Sequence, residues 1–140
     1  MSRLSHRCAR ILRVRGIEHR VAAARMIAAE RRVGELLGVD RRIGDLRLSL
    51  RPAIGGTSGQ VLQAMTEMEA RLERAQGDLI QPIRQAAAQR DQATAARLIA
   101  RGREDGVERL RHNAVIREES SEALRADAVR PSRQVRRRFA

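Results

Sequence analysis

The sequence predicts an all-α protein, an elongated antiparallel two-helix coiled-coil hairpin. Three observations predict it. The chain of 140 residues is rich in Arg, Ala, Leu and Glu, with one Phe and no Tyr or Trp. The aromatic side chains that fill thick cores are thus almost absent, and the composition fits long helices. Apolar residues also recur at alternating spacings of three and four on both sides of a single Pro- and Gly-rich stretch. Finally, only three prolines punctuate the chain, at Pro52, Pro82 and Pro131. The length allows one domain.

The first helix is expected over about residues 4–50, because no proline precedes Pro52. At 1.5 Å per residue it is roughly 70 Å long. Its seam reads Leu36, Val39, Ile43, Leu46 and Leu50. An earlier set, Val14, Ile17, Val21, Ala24 and Ala28, has the same alternation in another phase. Joining the two requires a slip near Val33. Gly16, Gly34, Gly38 and Gly44 each weaken the helix by about 1 kcal/mol relative to Ala.

The bend falls at residues 51–58, "RPAIGGTS". Pro52 disfavours helix at Arg51, and Gly55 and Gly56 permit a reversal. Thr57 and Gln60 have capping-box spacing. A phosphate-binding loop would need a Lys and a preceding strand, and the stretch offers neither.

The second helix is expected over about residues 59–127. Its seam is Met65, Met68, Leu72, Ala75 and Leu79. Pro82 sits inside the pattern and predicts a kink. The Ala-rich remainder has few large seam residues, which predicts a less stable half. Folded back on the first helix, the two seams bury one another, making residues 1–129 one hairpin. With Leu50 facing Gly59, Arg3 lies near Gly106, and the turns of about 107–127 run on as a single helix. Pro131 ends the helix, and residues 130–140, "RPSRQVRRRFA", read as a disordered basic tail.

Charge is unevenly distributed. The net charge is +12 and all 29 basic residues are Arg. Residues 1–58 carry 13 Arg against 5 acids, residues 59–128 carry 11 against 12, and residues 129–140 carry 5 against none. Basic ends favour an anionic partner. The candidate partner contacts are Arg3, Arg7, Arg10, Arg13 and Arg15 on the first helix. Glu118, Glu119 and Arg125 join them on the second.

Chemistry-bearing residues are sparse. His6, His19 and His112 are scattered, and Cys8 is alone. His6 and Cys8 are two apart on a helix and point apart, so no metal site is expected. No cofactor motif and no catalytic constellation is found, so the reading is not an enzyme. Base stacking by a nucleic-acid binder would need aromatics, and Phe139 stands alone. Non-specific phosphate contact through Arg stays open as an alternative, as does a generic coiled-coil scaffold. No apolar run is long enough to span a membrane, and the expectation is a cytoplasmic chain.

The segment "ILRVRGIEHRVAAARMIAAERRVGEL", residues 11–36, resembles the first helix of the flagellar export protein FliJ family and its type III secretion counterparts. The shared features are a Leu-Arg-Val-Arg-like start, a Glu and an Ala-rich stretch. The layout of the whole chain is also similar. The resemblance implies a two-helix stalk in bacterial flagellum biogenesis and motility. Such a stalk docks on the hexameric export ATPase and contacts the export-gate membrane protein and chaperones. It also implies peripheral association with the inner face of the cell membrane through those partners.

Overall fold

The computed structural model describes residues 2–50 and 58–129. It consists of α1, Arg3–Ser49, and α2, Gly59–Val129, which pack against each other as a two-helix hairpin. There is no strand among the described residues. Residues 51–57 of the proposed 51–58 bend, Thr57 among them, and the tail at 130–140 lie outside the described residues.

Both helices start on a serine. Ser2 Oγ accepts from the Ser5 amide at 3.4 Å, and Ser58 Oγ accepts from the Val61 amide at 3.4 Å. Each hydroxyl satisfies one of the amides that a helix start leaves unpaired. The cap of α2 is therefore Ser58, one residue beyond the Thr57 of the sequence reading. α2 continues as helix through Pro82.

The chain divides into two compact units. Unit 1 joins the stretch up to Val21 to the stretch from Leu98 onward, and unit 2 is Ala22–Arg97. Unit 2 holds an apolar cluster of Val33, Leu36 and Ala86, with Leu79 and Ile83 packed on it. Unit 1 buries Ser5 and Ala114.

Burial follows an unbroken heptad on each helix. On α1 one column of buried or half-buried positions is Ser5, Leu12, His19, Met26, Val33, Asp40 and Arg47. The other is Cys8, Arg15, Ala22, Ala29, Leu36, Ile43 and Leu50. The expected slip near Val33 does not occur. Val14, Ile17, Val21, Ala24 and Ala28 are exposed, and they form a second face of α1. On α2 one column, from Met65 through Leu72, Leu79 and Ala86 to Ala114, is apolar throughout. The second column runs Glu69, Gln76, Ile83, Arg90, Arg97, Glu104, Arg111 and Glu118, and only Ile83 is apolar.

This corrects the seam at three positions. Val39, Leu46 and Met68 are 40%, 54% and 45% exposed. Their neighbours Asp40, Arg47 and Glu69 occupy the seam instead. The physical reason is mutual satisfaction of polar groups. Arg47 Nε donates to Glu69 at 2.8 Å and Arg47 Nη1 donates to Gln76 Oε1 at 2.7 Å. Gln76 Nε2 in turn donates to Asp40 Oδ1 at 3.4 Å. Half-buried polar side chains are tolerated once they are paired, and their methylene stems cover apolar neighbours. Leu36, Ile43, Leu50, Met65, Leu72 and Leu79 lie buried or half-buried at heptad positions.

The register also differs from the expected one. In unit 1, Ser2 lies beside Glu118 and His19 beside Glu104. In unit 2, Arg47 lies beside Glu69. These contacts displace α2 by about seven to fourteen residues, or roughly 10–21 Å, from the pairing that puts Gly59 opposite Leu50. Matching of the seam columns sets the pairing, rather than the shortest closure of the bend. The stretch exposed throughout shrinks accordingly to residues 119–129, from the 107–127 expected as a single helix.

Candidate functional site

Unit 1 carries the charged residues singled out from the sequence. Arg3, Arg7, Arg10 and Arg13 lie exposed on α1, and none has an acidic partner among the described residues. Their guanidinium groups stay solvated and uncompensated, so their field extends outward. Arg15 behaves differently. It occupies a seam column and pairs with Glu18 at 2.8 Å. Its charge is already used within the helix, which removes it from the outward-facing set.

Helix α2 brings Glu118 to the start of α1. Its carboxylate accepts from the Ser2 amide at 3.2 Å and from the Ser2 hydroxyl. A carboxylate at a helix N-terminus is favoured by the unpaired amides and the helix dipole. The Ser2 hydroxyl hydrogen bond holds the Glu118 carboxyl below its ordinary value, against an opposing push from desolvation. Glu118 is therefore engaged at the start of α1 through its Oε1. Glu119 and Arg125 are exposed further along α2.

One feature of unit 1 was not read from the sequence as a contact. His19 Nδ1 lies 2.6 Å from Glu104 Oε2, and its Nε2 is buried with no partner among the described residues. Gly16 sits against the same carboxylate: a Cβ there would meet Glu104 Oε1 at 3.4 Å. The two residues are 85 apart in sequence. Only the register reveals the pair, and no local motif carries it.

Unit 2 offers an open groove of about 740 Å³ beside its polar seam. Asp40, Gly44, Arg47, Glu69 and Gln76 line it, with Leu62 and Met65. The groove arises where the small Gly44 meets a polar network in place of large apolar side chains. Four of its polar residues, Asp40, Arg47, Glu69 and Gln76, are hydrogen-bonded among themselves.

Among the described residues no group of three or more His, Cys, Asp or Glu could hold a metal ion. None of their helices is long and apolar enough to cross a membrane. Comparison with protein families, with curated proteins and with solved structures finds no match for this chain.

Proposed function

We propose that this chain is a non-enzymatic docking hairpin, a stalk or adaptor that presents unit 1 to an anionic protein partner. The observation that carries the reading is the exposed set Arg3, Arg7, Arg10 and Arg13, none of which has an acidic partner among the described residues. Uncompensated charge on one face speeds and orients association with a face of opposite sign. The resemblance of residues 11–36 names the partners: the export ATPase and export gate of the flagellar or a related type III apparatus, with chaperones. In that setting the protein works at the inner face of the cell membrane, held there through the gate.

The test is a pull-down of the full chain from its own cell extract, with the retained proteins identified by mass spectrometry. The control is a full chain with Arg3, Arg7, Arg10 and Arg13 replaced by Gln. Recovery of a hexameric ATPase and a gate subunit, lost in the control, is the expected result. Recovery of nucleic acid or ribosomal material instead, released by moderate salt, would favour non-specific phosphate binding and reject the proposal.

A further inference from the structure

We propose that two copies of this chain pair through unit 1, the outer face of α1 in each taking the exposed end of α2 from the other. Two unpartnered helix faces lead to this, and each has its own heptad spacing. On α1, Arg7, Arg10, Val14 and Ile17 follow one another at spacings of three, four and three, and all four are exposed. The face begins basic and ends aliphatic, with Val14 and Ile17 55% and 53% exposed. On α2, Glu119, Glu122, Ala126 and Val129 follow at the same spacings and are likewise exposed. That face begins acidic and ends aliphatic.

Laid parallel, the two faces match at every position. Glu119 and Glu122 meet Arg7 and Arg10, and Ala126 and Val129 meet Val14 and Ile17. Coiled-coil packing requires this shared three-and-four spacing, and opposite charges select parallel over antiparallel alignment. Other occupants fit less well. The tail at 130–140 has five Arg and no acid, so like charge opposes it on this face. Two α1 faces set against each other would oppose Arg to Arg or leave Arg against aliphatics. Because one unit carries both faces, a twofold axis forms the contact twice, as a closed dimer. The dimer takes Arg7 and Arg10, which the docking reading also uses, and leaves Arg3 and Arg13 for an outside partner; it needs none itself beyond a second copy.

The experiment is sedimentation velocity on the full chain at low and high salt, with two charge-reversed variants. One is Arg7→Glu with Arg10→Glu, and the other is Glu119→Arg with Glu122→Arg. All four positions are exposed, so circular dichroism is expected to show unchanged helicity. The wild type is expected to be a dimer at low salt and to dissociate as salt screens the pairs. Each variant alone is expected to be a monomer, and an equimolar mixture of the two is expected to recover the dimer. A wild type that stays monomeric overturns the proposal, including one that instead floats with phosphatidylglycerol vesicles. So does a dimer that neither variant disturbs, or a mixture that remains monomeric.

Discussion

Unit 2 packs Val33, Leu36, Leu79, Ile83 and Ala86 into one apolar cluster. Among the described residues unit 1 has no such cluster: its heptad columns set Ser5, Arg15, His19, Glu104 and Glu118 among Leu12, Val107 and Ala114. The polar stretch of unit 2, at Asp40, Arg47, Glu69 and Gln76, lies apart from its cluster. Two stretches of one hairpin thus use the same spacing for different ends. Apolar columns stabilise through area removed from water, while polar columns contribute little net energy but restrict which residues can face each other. The clustered part of unit 2 is accordingly expected to be the most stable part of the chain, and unit 1, which has no comparable cluster, to be held more weakly.

The sharpest way to break this contrast is to place a charge in the seam and, separately, one residue off it. Leu72→Asp puts a carboxylate in the apolar column of α2 and is expected to destabilise by about 3 kcal/mol. Leu46→Asp falls on a side chain 54% exposed and is expected to stay within about 0.5 kcal/mol. Thermal melts of both, followed by circular dichroism, read the difference. Equal losses would return Leu46 to the seam.

Truncation probes the cluster itself. Leu36 is only 8% exposed, and Leu36→Ala is expected to cost about 2–3 kcal/mol in urea unfolding. The polar seam answers with a smaller loss. His19→Leu removes the partner of Glu104, whose side chain is only 29% exposed. A loss of about 1 kcal/mol is expected. A gain of that size would mean that burying the His19 Nε2, which has no partner among the described residues, costs unit 1 more than the pair contributes.

Smaller effects come from the backbone and the cap. A Cβ at Gly34 in unit 2, or at Gly102 in unit 1, would meet nothing within 4 Å. Each change to Ala is expected to add about 0.8 kcal/mol. The Ser2–Glu118 contact has a pH signature. The carboxyl is held below its ordinary value in the folded chain. Its contribution is therefore complete above the usual carboxylate range and is lost as pH falls through the lowered folded value. Ser2→Ala is expected to move the Glu118 titration, read by carboxyl NMR shifts, back up toward ordinary. An unchanged titration would show that Ser2 is not its cause.

Helix type, the break between the helices and their packing as a hairpin were legible in the sequence, because proline placement and periodicity are local signals. The seam was legible where it is apolar, at Leu36, Leu72 and Leu79. It was misread by one residue at Val39, Leu46 and Met68, because a search for apolar residues steps past a paired Asp40, Arg47 or Glu69. The early set from Val14 to Ala28 had the right spacing but belongs to the outer face. Periodicity reports that a face is apolar, not what covers it. The register, and with it the Ser2–Glu118 and His19–Glu104 contacts, depends on matching columns across more than eighty residues, and no local pattern encodes that. The exposed arginines were legible as charge. That Arg15 is paired and that Glu118 is engaged required the fold.

Native-state hydrogen exchange, resolved by residue, tests the difference between the two units most directly. The slowest exchange is expected at the amides around Val33, Leu36, Leu79 and Ile83. Faster exchange is expected across residues 5–19 and 100–118, and the least protection at 119–129. Equal protection along both helices, or slower exchange in unit 1 than in unit 2, would contradict that difference.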